Sequence, residues 1–365
     1  MLKNRQQSGL TLVELMIAMA ISLIVIAGVI EIYISNKRTY NTQAALSQIQ
    51  EDGRFANIFI QKNLRLGGYM GCMGNAVKFT NNVDTSQYNS ELAAAAHLTL
   101  RSSLNGFGSD AVQGFNNVTI LPGVLSDLGL SIGTAQGQMI ADTDVIVVRS
   151  AGFCSGGNVV APLMGDKSAN IKIADASCSV GCCINQNDLV IVTNCQNADL
   201  FAVVNNASAG GASQDTLTHS SALNTSNTLS VKYGLDARVY KYQTGVWYVG
   251  NGAYGRPSLF KKSIQGNSFN SIEIVEGVEN MQLLFGEDSS SNGSVNHYVT
   301  ADNISNRNNI ISVKVSFLVS SINTSVALEP VSIVYNGMTI NNGAGADKRL
   351  RRVFNTTIAL RNRLR

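Results

Sequence analysis

The side chains able to do chemistry in this 365-residue chain are few and far apart. Its six cysteines are Cys72, Cys154, Cys178, Cys182, Cys183 and Cys195. The run S-C-S-V-G-C-C lacks the C-x2-C spacing of a zinc knuckle, and the histidines, His97, His219 and His297, are scattered. An even cysteine count in an exported chain points to disulfides instead, with the pairing open among many connectivities. Asp142 and Asp144 flank Thr143 before an apolar stretch, which reads as the start of a strand rather than a pair of carboxylates for acid–base work. In DSSSNGSVNHYV, Asp288, Ser290, Asn292, Gly293 and Ser294 echo a calcium loop. Only Asp288 is anionic, however, and Val299 stands where the closing glutamate belongs, so a turn at Asn292–Gly293 is the simpler account. The tail KRLRRVFNTTIALRNRLR carries Lys348, Arg349, Arg351, Arg352, Arg361, Arg363 and Arg365. It reads as a basic edge facing solvent or a partner, with nucleic-acid contact as the secondary alternative. The costliest residue is Glu14, inside the run SGLTLVELMIAMAISLIVIAGVIEIY. A carboxylate in lipid costs roughly 2.5–3.5 kcal/mol on insertion scales, so something must use that charge or shield it.

No H-E-x-x-H, G-x-S-x-G or Walker loop occurs. The sequence therefore implies no enzyme, no cofactor and no metal. The net charge of +3 includes Lys3 and Arg5 near the N-terminus; the remainder is close to neutral and makes no global case for nucleic acid. A hydrophobic share of 45% with 14% charged residues suits a globular body attached to one lipid-facing segment.

That segment follows a short basic leader, MLKNRQQSG. Leu10 to Ile34 contains only Glu14 and Glu31 as charges, and 25 helical residues reach about 37 Å, enough for a bilayer core of about 30 Å. No small-residue cleavage site follows the apolar run, so the span is expected to be retained and any cut to fall before it. Lys3 and Arg5 place the leader on the cytoplasmic side and the body outside the cytoplasm. Beyond Tyr33, Leu46, Ile49, Gly53, Ala56, Ile60 and Leu64 recur at helical spacing, Phe55 and Phe59 widen the stripe, and Gly67–Gly68 supplies a stop. The pattern predicts one helix from about Leu10 to Leu66, lipid-compatible first and amphipathic second, with Gly28 and Gly53 as softer points.

The rest reads as α+β with strands dominant. A short helix is expected in SELAAAAHL, and strands at Asp144–Ser150, Asp188–Thr193, Leu200–Val204, Leu229–Gly234, ISVKVSFLVSS and the middle of the basic tail. RVYKYQTGVWYVG suggests a hairpin turning at Thr244–Gly245, with Trp247 as packing. Asn205 to Ser230 suggests a surface excursion.

The stretch Gly9–Leu15, G-LTLVEL, resembles the class III signal of type IV prepilins and pseudopilins. The resemblance implies cleavage between Gly9 and Leu10 by a prepilin peptidase and N-methylation of Leu10, which stands where the family commonly has phenylalanine. It also gives Glu14 a role in subunit entry and axial register. RLGGYMGC, NDLVIVTNCQNADLFAVV, VEGVENMQLLFGED, ISVKVSFLV and RRVFNTTIALRNR, in that order, are similar to PilW-type minor pilins, which are related to the J-type minor pseudopilins of type II secretion. The implied fold is α+β and type IV pilin-like: a long N-terminal helix packed on a mainly antiparallel sheet with long loops. The implied organisation is a leader (1–9), a transmembrane and filament-core helix (10–34), its amphipathic continuation (35–66), a loop-rich connection (67–140) and a β-rich periplasmic or extracellular body (141–365). The implied function is priming of type IV pilus assembly, first from the inner membrane and then near the pilus tip. Partners would be other minor pilins, the major pilin, the prepilin peptidase, inner-membrane lipid and a tip adhesin. A type II secretion pseudopilin and an adhesive or DNA-binding tip subunit are the alternatives.

Replacing Gly9 with valine should block removal of the leader. Intact-mass measurement of the membrane fraction should then show a precursor nine residues longer, as the leader MLKNRQQSG requires; product of normal size would refute the cleavage assignment.

Overall fold

The computed structural model describes residues 11–69, 71–72, 78–84, 111–177, 182, 184–207, 214–265, 268–341 and 345–363. The stretch SELAAAAHL, expected to be helical, lies outside them. Helix α1 (Leu12–Leu64) runs unbroken for 53 residues, roughly 80 Å at the standard rise. No proline interrupts it, and it passes straight through Gly28 and Gly53. Residues 11 to 41 are all exposed. Ser22 inside this stretch donates its hydroxyl to the Met19 carbonyl at 2.8 Å, which removes a dangling polar group from a surface suited to lipid.

Beyond it, Ala45, Ile49, Gly53, Ala56, Ile60 and Leu64 are buried. The expected stripe is thus corrected at its head and flank: Ala45 replaces Leu46, and Phe55 and Phe59 are exposed. Two and six residues from Gly53 put those rings on the opposite side of the helix. The helix ends at Leu64, a turn earlier than the glycine pair, and Gly68 adopts φ +76° to carry the chain away.

Among the described residues, sixteen strands and a one-turn α-helix follow, α2 being Gly123–Asp127. They are β1 (Lys78–Asn81), β2 (Val112–Val118), β3 (Thr143–Gly152), β4 (Ile171–Ile173), β5 (Leu189–Thr193), β6 (Asn197–Ala202), β7 (Asp215–Leu217) and β8 (Arg238–Asn251). Then come β9 (Pro257–Gln265), β10 (Ser268–Glu276), β11 (Val278–Glu287), β12 (His297–Val299), β13 (Ile310–Ser320), β14 (Ile333–Tyr335), β15 (Met338–Ile340) and β16 (Arg351–Ala359). The first sheet has the order β1-β6-β5-β8-β3-β2, with β9 and β10 continuing from β8; only its β1–β6 pair is parallel. The second has the order β12-β11-β13-β16 and is antiparallel throughout. The fold is α+β, with a long apolar helix and a mainly antiparallel body.

Strand β8 corrects the expected hairpin. It is one 14-residue strand, and Gly245 pairs with Val148 on one side and Ser263 on the other. A ladder on both edges overrides the local turn signal of Thr-Gly. Leu229–Gly234 is not a strand; Leu229 and Tyr233 are buried there as loop side chains, and Tyr233 donates its hydroxyl to Asp199 at 2.6 Å. Nor is the Asn205–Ser230 segment purely a surface excursion, because Leu217, His219, Leu223 and Asn224 are buried.

The two sheets and the helix share one core. Ile49, Ala56, Ile60 and Leu64 of α1 meet Val313, Val315, Phe317 and Ile358 of the second sheet and Ile146, Trp247 and Val249 of the first. Each large aliphatic buried here contributes about 1.5–3 kcal/mol. Gly53 sets the closest approach: a Cβ placed on it would stand 2.5 Å from the Phe354 ring on β16. Gly53→Leu should therefore push α1 off the sheet and lower the melting temperature markedly, while Gly28→Leu, with open space around it, should not. Equal melting temperatures, read by circular dichroism, would contradict this seam.

Candidate functional site

The start of α1 is closed by its own side chains. Thr11 donates its amide and its hydroxyl to the Glu14 carboxylate, both at 2.9 Å, and its hydroxyl accepts from the Glu14 amide at 3.3 Å. This capping box satisfies the acid within one turn of helix. Gly9 and Leu10 lie outside the described residues. Because the expected cut precedes Leu10, both members of the box stay with the mature chain.

Strand β16 runs in the same direction as α1. The helix segment around Arg38–Gln43 shares a cleft with Lys348 and Leu350, Gly53 touches Phe354, and Asn362 donates to the carbonyls of Arg65 at 3.2 Å and Gly67 at 3.4 Å. The face of α1 turned away from the sheet carries exposed Phe55, Ile58 and Phe59.

The basic tail is not one continuous patch. Arg351 donates Nε and Nη2 to Glu279 at 2.7 and 3.0 Å and Nη1 and Nη2 to Asp347 at 2.7 and 2.9 Å. Those hydrogen bonds hold the Asp347 carboxyl below the usual range. Arg349 stands 3.8 Å from Glu279 and 3.6 Å from Asp347. Lys348 donates to the Leu328 carbonyl at 2.7 Å, and buried Arg363 donates to the Arg307 and Ile310 carbonyls. Arg352 lies over the Phe354 ring and Arg361 is exposed; Arg365 is outside the described residues.

Among the described residues, two disulfides brace the first sheet. Cys72 pairs with Cys195 and Cys154 with Cys182, at sequence separations of 123 and 28. By the chain-entropy account, loops of that size correspond to roughly 5 and 3.5 kcal/mol respectively. The first bond ties the exit of α1 to the β5–β6 turn. Cys178 and Cys183 lie outside the described residues.

Several buried acids act as fasteners that no local pattern announces. Asp144 starts β3 and accepts from the Asn117 amide at 2.8 Å and, across to the second sheet, from the Leu283 amide at 2.7 Å. Asp199 gathers Asn82, Ser230 and Tyr233. Glu287 holds Ser305, Asn306 and His297. Asp288 accepts from the amides of Asn292 and Gly293 at 3.1 and 2.8 Å, so its carboxylate shapes its own turn, with Gly293 at φ +81°. Asp142 sits apart at φ +60° in the preceding turn. Asp52, on α1, has a buried Oδ2 without a hydrogen-bond partner among the described residues. Burial first, then the nearby Glu51 and Glu276, push its pKa up to about 6.

Two family models match the chain. One, Type IV Pilus-assembly protein W, covers residues 246–362; the other, the prokaryotic N-terminal methylation motif, covers residues 4–30. The first takes in β9 to β16 and so the sheet on which α1 lies; the second takes in the capped start of α1. No curated protein matches. Among solved structures, a type IV-like pilin from Thermus thermophilus aligns over 34% of this chain and 70% of its own, at 16% identity and a TM-score of 0.21. That score is too low to support any inference about this chain.

Asp52 is harder to ionise folded than unfolded. Its contribution to stability is therefore complete below the unfolded carboxylate value near about 3.9 and is lost as pH rises through about 6. Asp52→Asn should raise the denaturation midpoint at pH 7 and flatten its decline between pH 4 and 6. An unchanged pH profile in urea titrations would show that the carboxylate is solvated.

Proposed function

We propose that this chain, a PilW-type type IV pilin by its two family matches, primes type IV pilus assembly as a subunit of a minor-pilin complex. Before assembly it is anchored in the inner membrane with its body in the periplasm, and it then enters the filament near the tip. The observation that carries this reading is α1: its surface is exposed from residue 11 to 41 and apolar up to Ile34, with nothing among the described residues to bury it. Lipid covers it first and the helices of other pilins cover it afterwards.

Glu14 gives that exchange its register. Among the described residues its carboxylate accepts from Thr11 alone. A capped carboxylate in hydrocarbon is tolerable but retains unfilled lone pairs. Cleavage before Leu10 frees an amine, and a neighbouring subunit that presents its own amine to Glu14 supplies the missing positive charge. Such a pairing in a low dielectric is favoured only at one axial offset, which fixes the stagger of helices. The large first sheet, stapled by its disulfides, suits a position where subunits need not repeat tightly, and the body's exposed loops then select the neighbouring minor pilins, the major pilin or a tip adhesin.

Glu14→Ala should leave the chain cleaved and retained in the membrane at normal levels. Surface pili should fall about tenfold or more, as loss of a charge-assisted contact of about 1.5–3 kcal/mol implies. Undiminished piliation would remove Glu14 from the mechanism, and a secretion defect with normal pili would transfer the chain to type II secretion.

A further inference from the structure

Between β13 and β16 the chain leaves the sheet and returns along α1. Ser325 bridges in parallel to Lys348, the amides of Val326 and Ala327 both donate to the Lys348 carbonyl at 3.1 and 2.9 Å, and Leu328 follows, 66% exposed. This loop and α1 flank an open cleft of about 1420 Å³. Its helix wall includes Ala27, Ile30, Ile34 and Arg38; its other wall includes Leu328 and Lys348.

The cleft stands at a definite height. Phe354 lies against Gly53, and Lys348 is six residues earlier on the chain that runs beside the helix, about 20 Å back at the strand rise. Twenty ångströms of helix is about 13 residues, which brings Lys348 level with Tyr40, about 9 Å past Ile34. The cleft's lower end, at Ala27, lies about 10 Å before Ile34. If the apolar run ends at Ile34, the upper part of the cleft lies among headgroups and the lower part among acyl chains.

The chemistry of the walls follows the same gradient. Arg38 and Lys348 are exposed at the upper level. The Lys348 ammonium uses one donor on the Leu328 carbonyl at 2.7 Å and has others free to turn toward an anion. Ala27, Ile30 and Ile34 line the lower level, with Glu31 about two turns of helix below Arg38. A small apolar tip, Ala327 and Leu328, continues the greasy surface of the helix onto the body.

We infer that this cleft seats a membrane phospholipid, with its phosphate between Arg38 and Lys348 and an acyl chain along Ala27, Ile30 and Ile34 beneath Leu328. The inference rests on the membrane-anchored reading of α1. The body is then held to the bilayer at a second point, by a loop as well as by its helix. The lipid occupies space that must empty before another pilin helix packs against the same stretch of α1.

The only tryptophan, Trp247, is fully buried, so an added tryptophan reports its own surroundings. The full chain is reconstituted in vesicles of phosphatidylethanolamine and phosphatidylglycerol, with or without bromine on the upper part of the acyl chains. Leu328→Trp and Ala327→Trp should each lose a measurable part of their added emission in brominated vesicles, less than a residue inside the span loses. Leu23→Trp, inside the span, should be quenched as well, while Tyr254→Trp, on an 81% exposed residue of the β8–β9 turn, should not. Quenching of Leu23→Trp without quenching at Leu328 or Ala327 would overturn the lipid seat and leave the cleft to another pilin helix. Lack of quenching at Leu23 would instead defeat the membrane anchor, and this inference with it. Quenching of Tyr254→Trp equal to that of Leu328→Trp would show unspecific collapse on the surface and would also overturn it. Unshifted Trp247 emission in the parent chain serves as the measure of folding.

Discussion

The structure depends on one seam, the line along which α1 lies on β16. A helix this long and apolar cannot stand alone in water, and only its second half has a protein surface to cover it. That surface is built largely by the end of the chain, with Ile146, Trp247 and Val249 of the first sheet closing the same core, and not by the residues next to the helix in sequence. Gly53 permits the contact, because any larger side chain would meet Phe354. The ends of the chain therefore form the anchoring unit, and the first sheet is largely built by the sequence between them. The two family matches fall on the same division, one at the start of the helix and the other from Val246 onward.

Away from that shared core, the middle of the chain must be fixed by other means. Two disulfides and a set of single buried acids do this. Asp144 is the most consequential, because it accepts an amide from each sheet. Its two oxygens face two fixed donors, so even an amide in its place would leave one N–H without an acceptor, at a cost of about 1–3 kcal/mol.

Periodicity made the helix legible and also β13 and β16, where inward Val313, Val315 and Phe317 face Ile358, Thr356 and Phe354. What failed was decided by partners distant in sequence. Thr244–Gly245 looked like a turn because nothing local reveals that β3 and β9 flank it. Leu46, Phe55 and Phe59 fit the stripe by hydrophobicity but not by angular position, since the helix turns Ala45 and Gly53 toward the body instead. The arginines of the tail read as a patch because Glu279, the partner of Arg351, is 72 residues away. Disulfide pairing was likewise beyond reach, as spacing alone does not say that Cys72 meets Cys195. The sequence marked Glu14 by its cost in lipid, but its partner within the chain, Thr11, emerged only from the geometry.

The shared direction of α1 and β16 has a mechanical consequence. In a filament of the kind proposed above, tension would pull on this subunit through its helix, and the load would enter the body along the axis of the strand beside it. The β13–β16 ladder, nine residue pairs without a bulge, lies along that axis. Its hydrogen bonds are loaded in shear, all together, and do not unzip one at a time from an end. A subunit hung in this way resists traction with its whole second sheet.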